Sequence, residues 1–262
     1  MTDKTKSVII AAMLPIIFLI GGFFLFKSIA KDAARPYLVV GVSPDYPQFE
    51  FTKNHRLVGF DVDLIKRVVH NIGYNIRIEQ MSFSSLIPSL ESGEVDMIIS
   101  SLSETPKRSR HIKFSDPYFT TAFSVITKEE FGVGSLEGLP KNTRVGVQTD
   151  STMEDFINQF KEANQSSMEI VAADSNLVLI EKLELGEIDA VIVENPQAKS
   201  FTKDAKKLTY FDIKEDVVGH VKQSYAIGMR KDSDLVDDVN RELINLNDKG
   251  EIPKLIKAWR LK

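Results

Sequence analysis

The chain contains no cysteine. Disulfides, thiolate metal sites and thiol catalysis are therefore excluded, while the compartment stays open, because disulfide-free proteins occur on both sides of a membrane. Histidine is scarce, and His55, His70, His111 and His220 stand in polar segments without metal-ligand spacing. No metal site is expected from them. The glycines of "GVGSLEG", residues 132–138, are spaced one residue wrong for a dinucleotide loop and read as a linker, so no cofactor is expected either. Neither sign of charge dominates. The net value is −4, with acids and bases interspersed, which gives no electrostatic reason for a nucleic-acid partner.

What is present is material for a core. The 262 residues are 43% hydrophobic and 27% charged, enough for one large domain or two modest ones. Ahead of it lies "SVIIAAMLPIIFLIGGFFLF", residues 7–26, an uncharged run between Lys6 and Lys27. As a helix it would span roughly 30 Å of hydrocarbon, and it exceeds the usual signal-peptide core of about 7–15 residues. Residues 1–35 are read as a signal peptide or membrane anchor, the uncleaved anchor being favoured. Lysines at both ends leave its orientation unset.

Two segments share a pattern: "SLIPSLESGEVDMIIS" from Ser85 and "NLVLIEKLELGEIDAVIV" from Asn176. Each reads as an amphipathic helix stopped by a glycine, Gly93 or Gly186, then Glu, a β-branched residue, Asp and an apolar strand. Upstream, "YLVVGVS" at 37–43 matches "TRVGVQT" at 143–149, and "YNIRIEQ" and "SMEIVAA" fill the middle strand position. Each half is thus expected to be β-α-β-α-β, a parallel sheet covered by helices. The halves give two lobes: residues 36–125 with the tail 222–262, and residues 126–221. A tail returning to the first lobe makes two chain crossings, near 124–130 and 215–222, the geometry of a hinge.

Ligands of open parallel sheets bind beyond the carboxyl ends of the strands. That rule selects Ser43 to Tyr46 and Ser100 to Arg108 in one half, and Gln148 to Thr152 and Glu194 in the other. Arg108 offers a planar donor fork for a carboxylate, with the hydroxyls of Ser101 and Ser103 beside it. Ser151 and Glu154 stand at capping-box spacing, so a helix should start there with free amides at its tip. Glu194 supplies the opposite sign. A zwitterionic amino acid would satisfy both poles.

With those residues identified, "VGVSPDYPQFEF", "GFDVDLIKRVV", "LIPSLESGEVDMIISSLSETPKRSRHIKFSDPYF", "VGVQTDSTMED" and "SYAIGMRKDSDLVDDVNRELINLNDKGEIPKLIKAW" resemble the family 3 extracellular solute-binding proteins, periplasmic receptors of polar amino-acid ABC importers. The resemblance runs from about residue 36 to the end. It implies a two-lobed α/β fold of the periplasmic-binding-protein type (type II) with two hinge crossings, closing around one free amino acid. It further implies a monomer, a membrane permease as partner, and a periplasmic location in which residues 7–26 could serve as a tether to the inner membrane.

Carried over by motif, the resemblance makes Arg108 the carboxylate clamp and Ser101 and Ser103 its serine pair, with Ser100 in the pocket. Tyr46 becomes the aromatic lid and Phe83 the second stacking position. Thr152 is the hydroxyl of the second lobe, and Glu194 the acid that holds the α-amino group. Two positions depart from the pattern. Ser43 replaces the acid of many members that bind cationic side chains, and Asp150 replaces the usual glycine of the second-lobe loop. Because a serine cannot neutralise a buried cation, an uncharged polar amino acid is expected unless Asp45 or Glu50 turns inward. The alternative function is a dehydratase-like enzyme on the same scaffold, with Glu194 as general acid or base.

Overall fold

In the computed structural model, residues 35–203, 205, 207–214 and 221–261 are described. The apolar run 7–26 and most of the expected second crossing lie outside them. Among the described residues no helix is long and apolar enough to cross a membrane.

The first half runs β1 (Tyr37–Val42), β2 (Asp45–Tyr46), β3 (Glu50–Lys53), β4 (Arg56–Val58), α1 (Phe60–Asn71), β5 (Asn75–Gln80), α2 (Leu86–Ser92), β6 (Met97–Ile98), α3 (Pro106–Ser109) and β7 (Lys113–Phe114). A ten-residue strand, β8 (Phe119–Lys128), leads into β9 (Arg144–Gln148), α4 (Thr152–Ala163), β10 (Glu169–Ala173), α5 (Asn176–Leu185), β11 (Ala190–Glu194), α6 (Asn195–Thr202) and β12 (Leu208–Asp212). The chain returns through β13 (Lys222–Tyr225) and β14 (Gly228–Met229) to α7 (Val236–Asp248) and α8 (Glu251–Ala258).

One sheet has the order β5-β1-β6-β14-β7 and the other β10-β9-β11-β8-β12, with β2-β3-β4 a small separate meander. The three strands read from each repeat are parallel: β1 lies between β5 and β6, and β9 between β10 and β11. Both sheets are nevertheless mixed. The hinge strands and the returning chain add antiparallel partners, β14 to β6 in one and β8 to β11 in the other. A repeat-based reading does not see these additions because they come from chain outside the repeat.

The shared Gly-Glu-β-Asp pattern has the same physical role twice. Gly93 and Gly186 end α2 and α5 in the left-handed conformation, at φ 77° and 78°. The aspartate that follows then fastens the new strand to the first one. Asp96 accepts the Val39 amide at 2.8 Å, and Asp189 accepts the Arg144 amide, also at 2.8 Å.

Burial follows the sheets. Val40, Val42, Ile65 and Met97 form a core to which α7 and α8 contribute Val239, Leu243, Leu246, Ile252 and Leu255. The strand AVIVE of β11 is buried at every position, as a central strand covered on both faces must be. Between the sheets, β8 changes core without a break. Phe119 packs with the first cluster and Phe123 with the second, while Phe119 to Ala122 pair with β13. The passage thus falls between 119 and 123, slightly ahead of 124–130, since an uninterrupted strand carries no loop signal to mark it.

Candidate functional site

The stretch "SSLSETPKRSR" is where a buried strand is made to deliver an arginine. After β6 the backbone turns at Ser101, which holds φ 48°, and the turn is fixed by the Asp61 carboxylate accepting the Ser101 amide at 2.7 Å. Thr105 then caps a single helical turn by accepting the Arg108 amide at 3.1 Å, with Pro106 in the first turn. That turn folds Arg108 back over the strand end, where it is 8% exposed. Its Nη1 donates to the Ser103 carbonyl at 2.7 Å, and its guanidinium carbon stands 5.5 Å from the Phe83 ring centroid. Burial lowers the Arg108 pKa to about 10, so it remains a cation at neutral pH.

The facing wall comes from the other half. Ser151 caps α4, accepting the Glu154 amide at 3.2 Å. The reciprocal arm of the capping box lands one residue earlier than the pattern predicts: Glu154 accepts the Asp150 amide at 2.8 Å. Asp150 holds φ 58°, the left-handed conformation that suits the glycine usual in this loop. Glu194 ends β11 and is 5% exposed. Burial is the main cause that raises its pKa to about 7, with Asp45 pushing the same way, while its own amide, Arg108 and Tyr225 pull it down.

Tyr46, Phe83, Ser100, Ser101, Ser103, Arg108, Thr152 and Glu194 all line one cavity between the halves. Ser43 does not line it. Its amide donates to Ser100 Oγ at 3.0 Å and its hydroxyl to Asp45 at 3.3 Å, so the residue is spent on shaping the loop. Its place is taken by two acids that turn inward, Asp45 and Glu50. Glu50 accepts from Ser100 Oγ at 3.0 Å and from Ser101 Oγ at 3.4 Å. Burial, reinforced by the neighbouring carboxylates of Asp61 and Asp45, drives its pKa well above the usual range. Asp45 is also raised, chiefly by burial. It reaches across to the other half, accepting from Gln148 Nε2 at 2.9 Å and from the Asn176 amide at 3.3 Å.

Several lining residues had no clear signal in the sequence. Met153 and Gln197 also line the cavity. Gln197 follows Glu194 by one helical turn at the start of α6, and the proline at 196 could have marked that helix start. Asp61 and Tyr118 lie behind the wall, joined by a 2.8 Å hydrogen bond. One buried hydroxyl in the cavity wall, Ser103 Oγ, has no hydrogen-bond partner, an arrangement that ordinarily costs stability unless a ligand supplies the bond. Among the described residues no cluster of histidine and acids is arranged to hold a metal.

The arrangement can therefore hold an anion at Arg108 and cations at Glu194, Glu50 and Asp45. Comparisons with known proteins find amino-acid-binding proteins. The arginine-binding extracellular protein ArtP of Bacillus subtilis is 34% identical over 234 residues, covering 87% of this chain and 88% of the relative. The crystal structure of an amino-acid ABC transporter substrate-binding protein from Streptococcus pneumoniae, bound to L-arginine, superposes with a TM-score of 0.74. It is 31% identical and covers 85% of this chain and 94% of that one. An ancestral amino-acid-binding protein, a precursor of cyclohexadienyl dehydratase, has a TM-score of 0.76 at 26% identity, covering 85% of this chain and 95% of that one. Residues 38–262 match the family model of bacterial extracellular solute-binding proteins, family 3, and the chain belongs to that family.

Proposed function

We propose that this protein captures a cationic L-amino acid, arginine foremost, in the cavity between its lobes and passes it to the membrane permease of an ABC importer. In this reading it works as a monomer outside the cytoplasmic membrane, tethered by residues 7–26. The α-carboxylate lies against Arg108 and the Ser103 hydroxyl, and the α-ammonium against Glu194. The aromatic rings of Tyr46 and Phe83 flank the aliphatic stem.

The observation that carries the choice of ligand is the charge balance of the cavity wall, one guanidinium against the three acids Asp45, Glu50 and Glu194. A neutral zwitterion satisfies Arg108 and Glu194 and leaves two acids facing its side chain. Burying carboxylates without a counter-ion is costly, and burial is the leading cause that raises the pKa of Asp45 and, more strongly, of Glu50. A guanidinium or ammonium at that end would discharge the cost. Relatives named for arginine and histidine binding support the same reading. The sequence-based expectation of an uncharged side chain rested on Ser43, and Glu50 and Asp45 meet the condition under which it no longer applies.

Calorimetric titration of residues 35–262 with L-arginine, L-lysine, L-histidine and L-glutamine tests this. Arginine should bind most tightly, and Glu50→Gln should narrow its advantage over glutamine by at least about tenfold, the equivalent of one lost charge-assisted bond. Glutamine outcompeting arginine on the unaltered protein would overturn the reading. The enzyme alternative has one observation in its favour: Glu194 titrates near 7, in the range of a general acid or base. Recovery of the bound amino acid unchanged after prolonged incubation would exclude it, and conversion to a new product would replace the receptor reading.

A further inference from the structure

Three buried side-chain amides of the second lobe are linked to an acid of the first. Gln148 ends β9, Asn176 opens α5, and Gln197 stands in the first turn of α6. Gln148 and Gln197 line the cavity, and Asn176 hydrogen-bonds to both. Their link to the first lobe is Asp45, whose Oδ2 accepts from Gln148 Nε2 at 2.9 Å and from the Asn176 backbone amide at 3.3 Å.

The direction of each amide follows from its partners. Gln148 Nε2 also donates to the Asp174 carbonyl at 3.1 Å, and a carbonyl only accepts. The Gln148 oxygen must therefore face Asn176, where it accepts from Nδ2 at 3.2 Å. The second proton of that nitrogen goes to Gln197 Oε1 at 3.4 Å. Gln197 thus turns its carbonyl to Asn176, and its NH2 group, which bonds to no other side chain or backbone among the described residues, is the end left for the cavity it lines.

Asn176 holds this arrangement at a cost. Its own Oδ1 is buried and has no hydrogen-bond partner, an arrangement that an apolar side chain would avoid. Turning the amide over would bring Oδ1 against the oxygens of both glutamines. The nitrogen is the end in use. Asn176 therefore meets the first lobe through its main chain and the two cavity glutamines through its side chain.

We propose that Asn176 is a positioning residue that transmits the Asp45 contact between the lobes to Gln197, so that closing the lobes fixes the amide that Gln197 presents to the ligand. This deepens the receptor reading and rests on it, because the ligand must lie in this cavity. Asn176 itself does not line the cavity. Its contribution is to preorganise a group that does.

The experiment is a double-mutant cycle in arginine affinity, measured by calorimetry on Asp45→Ala, Gln197→Met and their combination. No hydrogen bond joins Asp45 to Gln197 directly among the described residues, so independent effects would multiply. With the relay, the combined loss should fall short of the product of the single losses by about threefold or more. The cycle is then repeated on Asn176→Ala, which keeps the backbone amide for Asp45 and removes the bonds to the glutamines. There the two losses should multiply. Coupling carried by the ligand itself would survive that change, and a merely structural role for Asn176 would lower affinity without altering the coupling.

Single losses that multiply in the unaltered background, or coupling that persists in Asn176→Ala, would overturn the proposal. Failure of the receptor reading is seen separately, as the absence of amino-acid binding by the unaltered protein. Should that protein prefer L-glutamine to arginine, only the cationic reading fails, and the cycle is run with glutamine. Should Asn176→Ala not fold, Asn176→Ser, whose hydroxyl is one atom shorter than the amide and suits a helix start, must abolish the coupling in its place.

Discussion

Arg108 joins the two lobes directly: while Nη1 donates to Ser103 in its own lobe at 2.7 Å, Nη2 donates to the Asp150 carbonyl of the other lobe at 2.9 Å. A guanidinium has five N–H donors, so three remain for a carboxylate. The same group can therefore bind a carboxylate while it stays tied to both lobes. Arg108→Ala should abolish ligand-induced thermal stabilisation, since losing a buried, hydrogen-bonded charge partner costs about 2–5 kcal/mol. Arg108→Lys keeps the charge and loses the fork, and should retain only a weak response. Differential scanning fluorimetry with and without arginine checks both, and an undiminished shift in Arg108→Ala would remove the residue from the clamp.

Asp45 makes a second interlobe link. Its carboxylate accepts from Gln148 Nε2 and the Asn176 amide at the start of α5, a position where negative charge is favoured. Asp45→Ala should shift the lobes towards an open arrangement. Small-angle scattering of the ligand-free protein should show a larger radius of gyration than for the unaltered chain. Affinity should fall several-fold, because each binding event must then draw on a smaller closed population. Identical scattering curves for the two proteins would mean that the link does not govern closure.

How much of this could be read from the sequence depended on whether a residue announced itself locally. Gly93 and Gly186 did, because a left-handed helix stop requires little beyond its own position. Arg108 and Glu194 did, because the parallel-sheet rule ties function to strand ends. Ser43 was placed in the pocket by its position after β1, but a short meander diverts the wall to Glu50, and the residues that close β2-β3 carry no mark of where their side chains point. Tyr225 was invisible for a different reason. It sits in an ordinary alternating strand, and only the crossing of the chain brings it within reach of Tyr46, 179 residues away in sequence.

Gly59 tests how closely the acidic wall depends on its loop. The residue holds φ 142°, and a β-carbon there would lie 1.9 Å from the Phe49 carbonyl oxygen, a backbone atom that cannot swing aside. It precedes α1 and so sets the position of Asp61, while Phe49 adjoins Glu50. Gly59→Ala should be severely destabilising, by about 3 kcal/mol or more when strain and overpacking combine. Chemical denaturation should show the fall, together with weakened arginine binding in whatever fraction remains folded. A mild loss of under about 1 kcal/mol would show that the Phe49 loop can yield.

The pH dependence of the ligand-free protein follows from its buried acids. Asp61 and Glu194 are both raised to about 7, with burial the leading cause in each, and Glu50 moves in the same direction. Unfolded, such carboxyls titrate near about 4. Between those limits the folded protein binds more protons than the unfolded chain, so stability is full below the unfolded values and declines as pH rises through 7. The surface pair Arg144–Asp189 acts in the opposite sense, since Asp189 is lowered by its hydrogen bonds to Arg144, and its contribution is lost only on further acidification. The melting temperature without ligand should therefore be higher at pH 5 than at pH 8, and Glu194→Gln should flatten the slope. Arginine must invert the trend. A cation bound at Glu194 and Glu50 requires them ionised, so affinity should rise with pH over the window in which stability falls, and protons should be released on binding. Calorimetry at pH 5.5 and 8 in buffers of different ionisation enthalpy measures both quantities. An affinity that falls with pH, or binding without proton release, would mean that these carboxyls do not meet the ligand's positive charge.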